Sequence, residues 1–500
     1  VPRDKPLVLA LDVGTSSSRA SLYDAAGDRV PEVEAQIAYA PRTTADGGAE
    51  LDPEALFDDL ERAIDQVVAG SRAVRQGEAR GRVIAVSAST FWHSLMGVEA
   101  DGRAVTPIYL WMDARSRDDA VALQHAFDQQ AAHDRTGCLL HWSYWPAKLR
   151  WLRRVHPEVW GRVKRWVSFA EYAHQRLTGQ PTISVSMASG TGLLDQHRCD
   201  WDPELLKAVG VEPSQLGKLV SLRGDESKLE RSYAERWPEL ARQPWFPAVG
   251  DGAASNLGAG CATRDRFAVM IGTSAAERVV WRPTGTFSIP RQVWCYRVDD
   301  ERVVMGGAMN DGGSLIEWLE QTLQLGSLPA AEVEAGRLEP DAHGLTILPL
   351  WGGERSPGWA PDARGAIVGL RLHHRPADIL RATLEAIAYR FGEIDNALRE
   401  VVPEGTEVVA TGGALLHAPV WLQIMADVLG RPVTASAEPQ ASSRGVALLA
   451  FEALDRLERP IEAVVPQAQA IYQPLTGHTE RYRAAAARQR RLYDVLISPK

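Results

Sequence analysis

Asp251 stands in Val249-Gly250-Asp251-Gly252-Ala253-Ala254-Ser255-Asn256, a strand-to-helix turn crowded with small residues. Two roles fit a carboxylate there. It can cap the helix that follows by accepting its first N–H groups, or it can act as general base toward a hydroxyl brought to it. A side chain tied to its own helix is less free to face a substrate, so the two roles compete. Further polar groups sit on two glycine-rich turns, Asp12-Val13-Gly14-Thr15-Ser16-Ser17 and Gly272-Thr273-Ser274. Their N–H groups and the hydroxyls of Thr15, Ser16 and Thr273 suit phosphate oxygens. Asp12 either steadies its own turn or is placed to hold Mg²⁺ through water, since that ion takes few carboxylates and keeps much of its hydration shell. One such turn is ordinary hairpin chemistry. Two in matched settings indicate a duplicated unit that closes on one polyphosphate.

Each turn needs strands to hold it. Val8 to Leu11 and Phe267 to Ile271 lead in, and Arg19 to Tyr23 and Glu277 to Trp281 lead out, so each turn is expected at a β-hairpin tip. Val33 to Ala40 and the short apolar run Val83 to Ser87 read as further strands. The latter is followed by Thr90-Phe91-Trp92-His93, where α/β folds place ligand groups beyond a strand's carboxyl end. Asp52-Pro53-Glu54 starts a helix with Leu56, Leu60, Ile64 and Val67 at helical spacing. Helices are expected over 113–135, from 148 to 155, over 377–398, 421–429 and 444–457, and over an arginine-rich final stretch, 479–492, whose charges read as a solvated face. Strands are expected at 303–307, 345–348 and 407–410. Residues 211–247 are proline-punctuated and read as irregular connection.

Five hundred residues exceed what one core accommodates, so two domains are expected, 1–247 and 248–500, with Pro247-Ala248-Val249-Gly250 as the boundary. A hydrophobic content of 45% with 24% charged residues is that of a globular protein. A net charge of −9 argues against nucleic-acid or anionic-membrane partners and for a small-molecule ligand. No apolar stretch reaches membrane-spanning length, and Val1-Pro2-Arg3-Asp4-Lys5-Pro6 leads straight into a strand, so a cytoplasmic chain is expected. Cys138, Cys199, Cys261 and Cys295 lie far apart without metal-ligand spacing and read as reduced thiols. Neither a Gly-x-x-x-x-Gly-Lys-Ser/Thr loop nor a protein-kinase glycine loop is present.

This constellation resembles the FGGY family of carbohydrate kinases, within the sugar kinase and actin-like ATPase superfamily. The most specific segment is Gly365-Ala366-Ile367-Val368-Gly369-Leu370, then seven residues, then Asp378-Ile379-Leu380-Arg381-Ala382-Thr383-Leu384-Glu385, which looks like the family's C-terminal signature. The resemblance implies an α/β fold of two ribonuclease H-like domains with the ligand cleft between them, ATP as co-substrate with Mg²⁺ at Asp12, and Asp251 as catalytic base. It places Gly14, Thr15, Ser16, Ser17, Arg19, Gly272 and Thr273 on the phosphates. Thr411-Gly412-Gly413-Ala414 resembles the adenosine-binding turn, which with Gly313, Glu317 and His417 completes the expected nucleotide site. A homodimer is compatible with the resemblance.

The acceptor is read from other segments. Trp92 to Val98, Trp111-Met112-Asp113-Ala114-Arg115, Ser143 to Lys148 and Ser186 to Gly192 look most like the gluconate kinases of the family. The Gln-Met-His-Gly of xylulose kinases and the Arg-Glu of glycerol kinases are not found there. A sugar acid carries a carboxylate remote from the hydroxyl to be phosphorylated, which calls for a cation or several donors. His93, Arg115 and Lys148 are the candidates, with Trp92 as a pocket wall. Each has a plainer role: a core histidine, a helix-face ion pair, a surface charge and a core tryptophan. The expected reaction is ATP-dependent phosphorylation of D-gluconate at its terminal hydroxyl. Xylulose or another pentulose or polyol is the alternative acceptor, and an actin-like nucleotide switch the alternative class.

Overall fold

The computed structural model describes residues 5–76, 81–223, 227–360 and 362–497. The opening residues Val1 to Asp4, on which part of the localisation reading rests, lie outside them. The elements that build the site are, in the first half, β1 (Lys5–Val13), β2 (Ser17–Tyr23), β3 (Arg29–Ala38), α1 (Pro53–Gln76), β4 (Gly81–Thr90), α2 (Trp145–Val155) and β5 (Val249–Gly250). They are followed by α3 (Asp251–Gly258), β6 (Arg266–Ile271), β7 (Ala275–Trp281), β8 (Trp294–Arg297), β9 (Val303–Met309), α4 (Gly313–Leu323), α5 (Pro376–Val401), β10 (Glu407–Thr411), α6 (Pro419–Leu429), β11 (Val433–Ser436), α7 (Ala441–Ala453), β12 (Ala468–Tyr472) and α8 (Thr476–Leu496).

The first sheet has the order β5-β4-β1-β2-β3 and the second β8-β9-β7-β6-β10-β11-β12. In the first, β1 pairs antiparallel with β2 and parallel with β4, which pairs parallel with β5. In the second, β6 pairs antiparallel with β7 and parallel with β10, which pairs parallel with β11. The same five-strand unit thus occurs twice, each with a glycine turn at the tip of its leading hairpin, and β8 and β12 are additions at the edges of the second.

Alternation along the strands sorts their side chains into layers. Leu7, Leu9, Leu11 and Val13 of β1 face α1, where Leu56, Leu60, Ile64 and Val67 meet them. Val8 and Ala10 face the opposite way, into a core shared with Ala253, Ala254 and Leu257 of α3, Val446 to Phe451 of α7, and Ala276 and Val280 of β7. The outer face of the second sheet, with Phe267, Val269, Ile271 and Val279, is covered by α5 and α6. The order through the molecule is therefore α1, first sheet, α3 with α7, second sheet, α5 with α6. Because α7 comes from the second half yet packs on β1 and β4, the inner core joins both halves.

Local chemistry explains the helix limits. Asp52 accepts from the Ala55 N–H at 2.9 Å where α1 begins. The stretch 113–135, expected as one helix, is two, Arg117–Ala126 and Gln129–Thr136, because Phe127 is extended and Asp128 caps a fresh helix through the N–H groups of Gln130 and Ala131. Along α8 the buried residues Thr479, Tyr482, Ala485, Gln489 and Tyr493 form one stripe, leaving the arginines outward. No helix among the described residues is long and apolar enough to cross a membrane.

Candidate active site

The period of two that packs the core also aims polar groups into the inner layer. On β1, Asp12 shares a face with Val8 and Ala10, and opposite it in register stands Arg19 of β2, whose Nη1 lies 3.7 Å from Asp12 Oδ2. Ser89 of β4 donates to Asp12 Oδ1 at 2.6 Å. On β7, Arg278 shares the face of Ala276 and Val280. Asp251 opens α3 between these strands.

Asp251 is not the helix cap. Gly250 occupies that position, and among the described residues the Asp251 carboxylate accepts only the adjacent Gly252 N–H, at 2.7 Å. Its seat is shaped by Trp92, whose ring lies under the turn. A Cβ on Gly250 would come within 1.8 Å of the indole, and one on Gly252 within 2.9 Å. Trp92 is held by its Nε1–H to Ser186 O at 3.0 Å and by the rings of Trp294 and Tyr296. Burial pushes the Asp251 carboxyl up to about 6, with Arg278 pulling it down and Asp12 adding to the rise.

Two cavities meet at Asp251. The larger, about 400 Å³, is walled by the tips of both glycine turns, by Trp92, His93, Trp111 and Tyr296, and by two arginines, Arg278 and Arg355. The other, about 360 Å³, is walled by Asp12, Arg19, Gly412, Gly413 and the Glu438 to Ser442 segment. Asp251, Met270 and Arg278 belong to both walls. A carboxylate of raised pKa thus stands between a polar chamber and an aromatic, cationic one. That arrangement allows a proton to be taken from a group held on one side while an anion is held on the other.

The turns are built alike. Gly14 N–H donates to Ser17 O at 2.9 Å, and Gly272 N–H to Ser274 O at 3.0 Å. Thr15 and Ser16 face the larger cavity, and Trp111 Nε1–H reaches Thr15 Oγ1 at 3.4 Å. The second turn is clamped by α4, with Gly313 N–H donating to Gly272 O at 2.8 Å and Ser314 N–H to Thr273 O at 3.1 Å. Gly412, with φ +87°, lies so close to Ile271 that an added Cβ would sit 2.4 Å from its carbonyl oxygen. Gly313, Glu317 and His417 line neither cavity. Glu317 and His417 are exposed, and the His417 Nδ1–H donates to Gly413 O at 2.8 Å.

The acceptor candidates divide. Trp92 and His93 line the larger cavity. His93 adopts φ +66°, in the left-handed region, and its Nδ1–H donates to Gly190 O. Burial pushes its pKa down to about 3, so the ring is neutral and offers Nε2 as an acceptor rather than a cation. Arg115 is elsewhere: it pairs with Glu50 at 2.6 Å and with Asp113 at 2.5 Å, and lies over the Trp151 ring at 4.8 Å. The helix-face ion pair is not made with Asp119, four residues on, which pairs with Arg150 and Arg154. Lys148 is not a surface charge but 1% exposed, donating to Ser143 O at 2.5 Å, with its pKa pushed down to about 7 by burial. Neither Arg115 nor Lys148 lines the cavity.

The cations that do line it, Arg278 and Arg355, were not among the sequence candidates. An arginine inside the wholly buried strand Ala275–Trp281 was the readable signal for the first. Arg355 lies in an irregular segment with no such pattern.

Paired five-strand units, each with a phosphate-suited turn at its hairpin tip and a carboxylate between two cavities, define a two-lobed phosphotransferase of the sugar kinase and actin-like class. Comparison narrows the class. Residues 7–258 match the N-terminal domain, and residues 267–454 the C-terminal domain, of the FGGY family of carbohydrate kinases. The chain is 28% identical to a gluconokinase of Bacillus subtilis (strain 168), over 95% of this chain and 93% of that one. Among solved structures it resembles a gluconate kinase from Lactobacillus acidophilus, with a TM-score of 0.88 and 26% identity over 99% of this chain and 98% of that one. A xylulose kinase from the same organism gives the same TM-score and identity, over 98% of each chain. The chain belongs to the FGGY family of carbohydrate kinases.

Proposed function

We propose that this chain transfers the γ-phosphoryl group of ATP to the terminal 6-hydroxyl of D-gluconate, giving 6-phosphogluconate. The observation that carries the reading is Asp251 in the shared wall of the two cavities, with two buried arginines and a neutral histidine around the larger. A cation-lined chamber suits a sugar acid better than an uncharged polyol. The two gluconokinases among the most similar curated relatives support the same choice.

In this reading Asp251 accepts the proton of the 6-hydroxyl as the oxygen attacks phosphorus. The backbone N–H groups and hydroxyls of Gly14, Thr15, Ser16 and Ser17, with Arg19, Gly272 and Thr273, hold the phosphoryl oxygens as charge moves between them. Gly412 and Gly413 receive the adenosine, with Gly313, Glu317 and His417 on its outer side. His93 Nε2 accepts a sugar hydroxyl, and Trp92 supplies an apolar wall to the carbon chain. Asp12, a buried carboxylate with a single hydrogen-bonded oxygen and a facing arginine, fits a hydrated Mg²⁺, whose part would be to neutralise polyphosphate charge. The division expected at 247/248 moves past β5, whose two residues pair with β4 in the first sheet, and we place the enzyme in the cytoplasm, where its four unbridged cysteines remain reduced.

Turnover with ATP and a panel of D-gluconate, D-xylulose and glycerol tests the acceptor. The xylulose kinase of equal structural likeness keeps a pentulose as the second reading. Phosphorylation of xylulose with none of gluconate would replace the first reading by it. Asp251→Asn is expected to lower kcat by about 10³-fold or more while ATP still raises the melting temperature; retained turnover would remove Asp251 from the role of base.

A further inference from the structure

Strand β7 is buried along its whole length, yet its middle carries Arg278. The residue is 8% exposed, and its Nε and Nη1 have no hydrogen-bond partner among the described residues. A buried guanidinium with open donors is costly to keep unless an anion joins it. The fold nonetheless makes room for it with two glycines: a Cβ on Gly252 would come within 2.9 Å of Nε, and one on Gly306 within 2.9 Å of Cγ.

The other residues of the wall do not answer this need. Asp251 lies near enough to act on the charge of Arg278, but it makes no hydrogen bond to it among the described residues, its one hydrogen bond going to Gly252. Arg355 is already occupied: Nε donates to Asn310 Oδ1 at 2.8 Å, Nη2 to Met309 O at 3.3 Å, and the guanidinium lies 4.3 Å from the centre of the Trp111 ring. Arg278 is the cation of the larger cavity with its fork open. Its place along the strand also suits a sugar acid. β7 leaves the second glycine turn at Ala275, so Arg278 lies three residues, roughly 10 Å, further along. The five C–C bonds of an extended six-carbon acid separate its ends by roughly 7 Å. Asp251 and Arg278 wall the same cavity, so a six-carbon acid curved between the turns and β7 can present its terminal hydroxyl to Asp251 and its other end to the guanidinium.

We propose that Arg278 is the residue that selects the acid, its open N–H fork receiving the sugar-acid carboxylate as a bidentate pair. The inference rests on the sugar-acid reading above. Affinity for D-gluconate and for D-glucitol, the neutral hexitol of the same carbon count, is measured by calorimetry on the wild type, Arg278→Gln and Arg278→Lys, alongside turnover and the ATP-induced melting shift as a check of folding. Arg278→Gln is expected to weaken gluconate about 30-fold or more, toward the level of glucitol, and to leave glucitol and ATP within about threefold. Arg278→Lys, which keeps charge but loses the fork, is expected to fall between. Equal losses for gluconate and glucitol, or loss of the ATP shift, would overturn the proposal while the sugar-acid reading stands. A wild type that binds and phosphorylates no sugar acid would overturn both.

Discussion

Asp251 carries two opposed demands. Ionised, it is the form a general base requires; buried, it resists ionisation, and its pKa is about 6. Activity should therefore be present above that value and lost as pH falls through it, with kcat/KM dropping about tenfold per unit below roughly pH 6. Stability runs the other way. The folded pKa lies above the unfolded one, so the contribution of this group to folding is fully present below the unfolded value and is lost as pH rises through about 6. Asp251→Asn should accordingly melt higher than the wild type at pH 7.5 while losing turnover. A variant no more stable than wild type would mean that the carboxylate is not strained in its seat. Asp251 was legible in the sequence because a charged residue among glycines and alanines needs a reason. The cation at the sugar end was not, because Arg115 and Lys148 are near in sequence to aromatic segments but are claimed in space by Glu50, Asp113 and the Ser143 carbonyl. Only the packing of β7 in the inner core shows that Arg278 keeps Nε and Nη1 without hydrogen-bond partners among the described residues.

At the scale of elements, the hairpins were readable from alternating apolar runs and their turns, and α1 from Asp52-Pro53-Glu54. What sequence left out was contact between elements distant in the chain. The turn Gly272-Thr273-Ser274 is held on one side by the first residues of α4 and on the other by the end of β10, where Gly412 meets the Ile271 carbonyl. Gly412→Ala meets both a left-handed φ of +87° and a contact of 2.4 Å with backbone, so the turn must move. The KM for ATP is expected to rise about tenfold or more, with the KM for the sugar changed far less. An unchanged KM for ATP would mean that this turn does not bind nucleotide. His93 belongs to the same scale. Its φ of +66° costs of the order of 1 kcal/mol or more and is maintained by the carbonyl of Gly190, a residue remote from it in sequence.

At the scale of the molecule, α3 and α7 cross where glycines bring backbone to backbone. A Cβ on Gly258 would lie 1.8 Å from Ala441 O, and one on Gly445 1.9 Å from Ala254 O. Both helices are common to the inner core, so neither half completes its own interior. Thermal unfolding of the whole chain should show one calorimetric transition in which both halves melt together. Two separated transitions, or an independently folded fragment of residues 1–258, would contradict the shared core. The order in which a ribosome makes the chain gives this layout a cost in time. The inner face of the first sheet is complete when residue 250 emerges, but the helix that covers it begins at residue 441. At roughly 5–20 residues per second the intervening 190 or so residues take about 10–40 s. For that interval the nascent sheet lacks the part of its cover that residues 446–451 supply to Val8, Ala10 and Ala85, so translation speed and chaperone supply join final stability in setting how much enzyme is recovered.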